Sequence, residues 1–169
     1  MNKLIDSIDR CLEWFMVSLM AVLVVDVTWQ VVSRYLLGEA SSFSEEVARY
    51  LLIWIGLLGS SYAYRRKMHL AFDLITNKVT GRTKFWMELI IHGFIIFFSV
   101  VVLILGGWYL VQLTWELNQL SASLQISLAY VYFALPLSGV LIVIYAVNFI
   151  MKIINEGPQE IEHHIDEVA

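Results

Sequence analysis

From Leu89 to Trp115 the chain runs 27 residues without a charged side chain. A bilayer presents about 30 Å of hydrocarbon, which a helix of about 20 apolar residues crosses with its backbone hydrogen bonds satisfied internally. The same signal recurs along the sequence. Of 169 residues, 59% are hydrophobic and 15% charged, where a soluble domain carries about 45–50% and about 25%. Mean hydropathy is +0.72. Four spans take roughly 80 residues at about 20 each, which fits, whereas six would be crowded. This excludes a soluble enzyme, a secreted disulfide scaffold and a disordered tail protein. Cys11 is the single cysteine, so the sequence offers neither an internal disulfide nor a zinc spacing. Basic residues are few and sit at helix ends, which speaks against nucleic acid as a partner.

The spacing predicts an all-α integral membrane protein with four transmembrane helices and interfacial amphipathic segments. Leu4, Ile5, Ile8, Leu12 and Phe15 recur at helical spacing among Lys3, Asp6, Asp9, Arg10 and Glu13. That stretch either lies on the membrane surface or forms the wet end of the first span. Its acidic residues, the long apolar run behind it and the lack of a small-residue cleavage site argue against a signal peptide. The spans are expected at about 14–33, 44–64, 85–110 and 128–151, as one membrane domain. Ser42-Phe43-Ser44-Glu45 has the form of a capping box for the second helix. The uncharged part of that helix, Tyr50 to Tyr64, is 15 residues. It spans only with Ser44–Arg49 added, which sets Glu45, Glu46 and Arg49 at the membrane edge. Residues 69–75 suit a short interfacial helix. Gly106-Gly107 is expected to bend the third helix, residues 111–125 to extend it and then loop, and Pro136 to fall in the first turns of the fourth. Residues 155–169 are expected to be a solvated acidic tail. Trp14, Tyr35, Tyr64, Trp86 and Trp108 fall near span ends as an aromatic belt.

Nine of the eleven basic residues fall at the two termini and in the 65–84 connection. By the positive-inside rule both termini are cytoplasmic.

Few residues invite chemistry. Asp26 is the one charge in the middle of a span, where an unpaired carboxylate costs roughly 2.5–3.5 kcal/mol, so it is a functional candidate by default. Arg49 lies at a similar depth on the second helix if the first two pack as a hairpin. Asp26 is then either a proton or ion site or half of a buried pair that pins the hairpin or faces a partner. A lone carboxylate makes a thin relay, which favours the second reading. Arg34 with Glu45 or Glu46 suits surface pairing across the short loop, and Glu45 with Arg49 is an i,i+4 pair. Glu88 and His92 suit a hydrogen bond to a neighbouring helix better than a relay or a metal site. Gly56 with Ser60, Gly59 with Ala63, and Ala134 with Ser138 are small-residue pairs that allow close helix approach. The sequence shows no nucleophile, metal cluster, nucleotide loop or cofactor signature, and no inverted repeat of the transporter kind.

The stretch from Arg34 to Asp73 adds an ordered pattern: Arg34-Tyr35, Ser42-Phe43-Ser44-Glu45-Glu46, Arg49-Tyr50, Trp54, Gly59-Ser60, Arg65-Arg66 and His69-Leu70-Ala71-Phe72-Asp73. It resembles the small, DctQ-like membrane subunit of tripartite ATP-independent periplasmic (TRAP) transporters. Phe43 stands where that family usually has tryptophan, and Phe72 where it has a β-branched residue. Both keep an apolar contact.

The resemblance implies a location in the bacterial inner membrane and two partners. One is a large sodium-coupled membrane subunit working as an elevator; the other is a periplasmic substrate-binding protein that captures an organic acid such as a C4-dicarboxylate or sialic acid. The small subunit would be a scaffold, without catalysis. It implies structural or interface roles for Arg34, Tyr35, Glu45, Glu46, Arg49, Trp54 and Gly59, and for His69 and Asp73 at the inner end of the hairpin. The competing reading is a small homo-oligomeric ion- or proton-coupled transporter using Asp26. A third is an anchor subunit of a membrane redox complex.

Overall fold

Val, Ile, Leu and Phe fill the third apolar run, and a helix is the structure that satisfies their backbone in lipid. The computed structural model describes residues 2–36, 42–66 and 82–166, with side chains over 5–36, 42–66 and 83–155. The described residues are helical, with no strand among them. In order they are α1 (Asn2–Leu36), α2 (Ser42–Arg65), α3 (Arg82–Phe98), a π-helical stretch (Ser99–Gly106), α4 (Gly107–Glu116), α5 (Leu128–Tyr132) and α6 (Ala134–Asp166).

Three helical segments are long and apolar enough to cross a membrane: Ile5–Leu36, Thr83–Glu116 and Leu128–Asn155. The α2 helix has 24 residues but carries Glu45, Glu46, Arg49 and Arg65, which dilute its apolar character.

α1 is continuous for 35 residues, or about 52 Å at about 1.5 Å per residue. The amphipathic stretch before Trp14 is therefore the protruding end of the first helix. α3, the π-helical stretch and α4 run into one another, and helix gives way to a loop after Glu116 as expected.

One expectation is corrected. Gly106 and Gly107 keep helical dihedrals, −63°/−43° and −63°/−42°. Gly107 instead admits a neighbour: a Cβ there would lie 2.8 Å from Leu135 Cβ and 3.0 Å from Pro136 Cδ. The fourth segment is interrupted at Phe133, and Pro136 sits in the first turn of α6, in keeping with its expected place near the start of that span. Its missing N–H costs nothing there, because first-turn amides have no intrahelical acceptor. The helix of α6 continues to Asp166, over most of the segment expected to be an acidic tail. The expected helix at 69–75 lies outside the described residues.

Among the described elements, α1 packs against α2, α2 against α1 and α6, and α6 against α2, α3 and the π-helical stretch. The long helices thus meet in a row of contacts, α1–α2–α6–α3, that does not close on itself. A buried seam of Ile5, Tyr64, Tyr145, Ala146 and Phe149 joins α1, α2 and α6, with Ile95 and Ile96 of α3 against it. Outside this seam each long helix keeps an open apolar stripe. Val17, Val25 and Trp29 on α1, Ile90, Phe94 and Phe97 on α3, and Val140 and Val147 on α6 are all exposed.

Small residues set the spacing within the row. Gly59 faces α1, with Met16 Sδ 4.0 Å from the place of a Cβ. Ser61 is fully buried and donates to the Ser138 carbonyl across the α2–α6 contact at 3.2 Å. Gly139 meets Leu103 and Ile104 of the π-helical stretch as closely as Gly107 meets α6.

Candidate functional site

Two polar clusters tie the row together, one at each end. At the end where α2 begins, Glu46 is buried although it lies in the first turns of a polar helix start. Its carboxylate accepts four hydrogen bonds. Ala122 N–H and the Tyr50 hydroxyl donate to Oε1 at 3.0 and 2.6 Å. Ser123 and Leu124 N–H donate to Oε2 at 2.8 and 2.9 Å. Three successive amides turned to one anion form a nest, which compensates the charge with fixed backbone dipoles. The Ser123 hydroxyl adds a 3.0 Å bond to Ser42 Oγ.

The loop is shaped to present those amides. Leu128 N–H bonds the Gln119 carbonyl at 3.0 Å and Ser121 N–H the Ile126 carbonyl at 2.8 Å, closing residues 120–127 as a small antiparallel bridge. Gln125 takes the left-handed region at φ 55°, and its side-chain amide donates to the Ala122 carbonyl at 3.0 Å. Around this clasp Leu117, Leu120, Ile126 and Tyr130 face outward.

At the opposite end, Arg65 closes α2 and donates from Nε to Asp9 Oδ2 at 3.1 Å, with Asp6 3.9 Å away. Both side chains of the Arg65–Asp9 pair are largely buried. This ties the last turn of α2 to the first turns of α1. The Arg65 guanidinium also lies 6.0 Å from the centre of the Phe149 ring. That ring stacks on His92 at 5.3 Å, and His92 Nδ1 shares a 2.6 Å hydrogen bond with the Tyr64 hydroxyl. The neighbouring-helix bond expected for His92 is therefore present. Tyr64 is buried as its partner, and not part of an aromatic belt. Trp14, Tyr35, Trp86 and Trp108 are exposed as a belt requires.

Asp26 and Arg49 do not meet. Arg49 is held by Glu45 on its own helix at 2.9 Å, in an exposed i,i+4 pair. Glu45 thus turns up the helix instead of back to Ser42. Asp26 is half-buried, and its Oδ2 is sealed from solvent without a hydrogen-bond partner. Arg34 and Tyr35 are exposed at the end of α1, and Arg34 makes no ion pair with Glu45 or Glu46. Trp54 packs edge-on against Phe15 of α1 at 6.2 Å. His69 and Asp73 lie outside the described residues.

Sequence reasoning named Glu46 but not what it binds, because its partners are backbone amides. It passed over Asp9 and Arg65, although Asp6 and Asp9 share a helical face and Arg65 ends α2. No group of His, Cys, Asp and Glu among the described residues is arranged to hold a metal ion.

Long apolar helices, pinned at both ends by buried carboxylates and exposing large apolar residues, define a multi-pass membrane protein. The family described as tripartite ATP-independent periplasmic transporters, DctQ component, matches residues 19–156. The chain belongs to that family, the small permease component of TRAP transporters, and is a multi-pass protein of the bacterial inner membrane. The family is one of transporter components and not of enzymes.

Among its relatives is the sialic acid TRAP transporter small permease protein SiaQ of Vibrio cholerae, 28% identical over 143 residues, 85% of this chain and 79% of that one. The C4-dicarboxylate TRAP transporter small permease protein DctQ of the same organism is 27% identical over 103 residues, 61% of this chain and 43% of that one. The sialic acid TRAP transporter permease protein SiaT of Haemophilus influenzae is 28% identical over 95 residues, 54% of this chain but 15% of its own length.

Proposed function

We propose that this chain is the scaffold subunit of a TRAP transporter for an organic acid. It stands beside a large sodium-coupled permease and helps present the docking surface for a periplasmic substrate-binding protein. The observation that carries this is that the helix contacts, α1–α2–α6–α3, do not close on themselves. A chain that enclosed its own transport path would need walls around it, whereas here α1 and α3 do not meet and the helices expose large apolar residues. Part of that surface suits lipid and part a larger protein.

In this reading α2 is a fourth span, with Glu45, Glu46 and Arg49 at its periplasmic edge. Both termini and the 66–81 connection are cytoplasmic, in keeping with the basic residues concentrated there. The Glu46 clasp then fixes the 117–127 loop on the periplasmic side, where a soluble partner arrives. Relatives named for sialic acid and for C4-dicarboxylates bound the substrate class. Selecting between them is left to the other subunits.

The test is Glu46→Gln in the assembled transporter. Uptake falls with poorer recovery of the membrane pair, while substrate binding by the soluble protein is unchanged. Normal co-purification alongside lost uptake would refute the scaffold role of this residue.

A second reading keeps Asp26, because its Oδ2 is sealed and unpartnered: a small homo-oligomeric transporter that couples through this carboxylate. Asp26→Asn separates the two, since it abolishes coupled transport in that reading and leaves uptake by the assembled transporter intact in the first.

A further inference from the structure

The α1–α2 end holds a cavity that the scaffold reading does not use. It measures about 280 Å³ and is lined by Asp6, Asp9, Arg10, Glu13, Arg65 and Arg66. That is slightly below the range of about 300–1,000 Å³ typical of drug-sized ligands, so it suits a small polar group. Its lining has both signs in equal number, three carboxylates and three guanidiniums.

The signs are not equally engaged. Arg65 and Asp9 are paired and largely buried, and form the floor. Behind them the hydroxyl of the wholly buried Tyr145 faces Asp9. At the rim Asp6 is largely exposed and reaches Arg65 only at 3.9 Å. Among the described residues, Arg10 and Glu13 form no ion pair, and Arg66 meets the Tyr62 hydroxyl, at 2.8 and 3.0 Å, but no carboxylate. Among the described residues the rim therefore offers two guanidiniums, Arg10 and Arg66, and one carboxylate, Glu13, that are in no direct ion pair, with Asp6 only loosely held.

Its depth is fixed by α1. Glu13 is followed by exposed Trp14, Phe15 and Val17, so the charged lining ends where the hydrocarbon-facing surface begins. A group held here sits at the headgroup level, with an apolar helix face directly beneath it.

We infer that this cavity binds a zwitterionic phospholipid headgroup of the phosphoethanolamine type. The phosphate lies against Arg10 and Arg66, where guanidinium forks match its oxygens. The primary ammonium lies against Asp6 and Glu13 above the Asp9 floor. The acyl chains run down the exposed face of α1. A quaternary ammonium has no N–H to donate, and a glycerol headgroup has no cation, so both lose the carboxylate side of the site. The inference depends on the membrane location of the chain and not on its role as a scaffold.

The test is native mass spectrometry of the full chain extracted from nanodiscs containing equal parts of phosphatidylethanolamine, phosphatidylcholine and phosphatidylglycerol. Phosphatidylethanolamine is retained about tenfold over either competitor, the worth of one hydrogen bond to a charged group. Glu13→Gln and Arg10→Gln, neither of which breaks an ion pair among the described residues, abolish that preference together. Glycerophosphoethanolamine displaces the retained lipid, and glycerol phosphate at the same concentration does not. Equal retention of the three lipids, an unchanged preference in the double variant, or equal displacement by glycerol phosphate would each overturn the inference, the last by reducing the cavity to a simple anion site. Transport is not measured, so failure here leaves the scaffold proposal standing.

Discussion

Replacing Gly107 by alanine adds one methyl group at the crossing of α4 and α6. At an open helical position the change is favourable, because alanine exceeds glycine in helix propensity by about 1 kcal/mol. At Gly107 the new Cβ falls 2.8 Å from Leu135 Cβ, 3.0 Å from Pro136 Cδ and 3.2 Å from Pro136 N, where ordinary contact begins near 3.4 Å. The ring and backbone of Pro136 cannot swing aside, so α4 and α6 must part by several tenths of an ångström. Overpacking of this kind costs about 1–3 kcal/mol. Set against the propensity gain, the net effect is a loss of about 1 kcal/mol, or about 2–4 °C in Tm for a chain of this size. Gly56 supplies the control, since nothing lies within 4 Å of its Cβ position. Gly56→Ala raises stability by about 0.5–1 kcal/mol. Thermal unfolding of the purified chain in one detergent, followed by tryptophan fluorescence, reads both variants. Opposite shifts support the packing described. A Gly107→Ala protein as stable as Gly56→Ala would refute the close crossing.

Other outcomes follow from the end clusters. Glu46→Gln weakens the carboxylate nest, and amide hydrogen exchange at Ala122, Ser123 and Leu124 quickens while that of α3 is unchanged; equal exchange would remove Glu46 as the anchor of the loop. Asp9→Asn and Arg65→Gln interact in a double-mutant cycle by about 1–3 kcal/mol, as expected for a largely buried pair, whereas additive effects would dissolve the tie between α1 and α2. Arg49→Gln costs no more than about 0.5 kcal/mol, because its partner Glu45 is as exposed as it is; a larger loss would mean that Arg49 reaches something beyond Glu45. His92→Phe keeps the stack on Phe149 but strips Tyr64 of this hydrogen bond, and destabilises by about 1–3 kcal/mol; an unchanged Tm would deny the bond a structural role.

Much of the fold is legible in the chain because membrane helices announce themselves through length and the absence of charge. The 27-residue run from Leu89 predicts the helix that the structure carries from Arg82 to Glu116. What escapes the sequence has specific causes. The break at Phe133 has no glycine to mark it, and Pro136 looks the same in a continued helix as in a new one. Gly107 reads as a bend because a sequence records the absent side chain, but not the neighbour that fills its place. The Asp26–Arg49 match rested on depth alone, and a carboxylate four residues away on the same helix, Glu45, takes the arginine first. Glu46 is visible as a residue, but its amide donors have no residue identity. Asp9 and Arg65 lie 56 positions apart, so only the packing of α1 on α2 reveals their pairing.

The account rests on this chain being a scaffold that moves nothing by itself. Uptake of labelled sialic acid and of a labelled C4-dicarboxylate into proteoliposomes tests that directly, with the chain alone, with its large membrane partner, and with the partner and the soluble binding protein under a sodium gradient. The account predicts no accumulation of either acid by the chain alone and sodium-dependent uptake of one of them by the three components together. Accumulation by the chain alone, lost in Asp26→Asn, would contradict it.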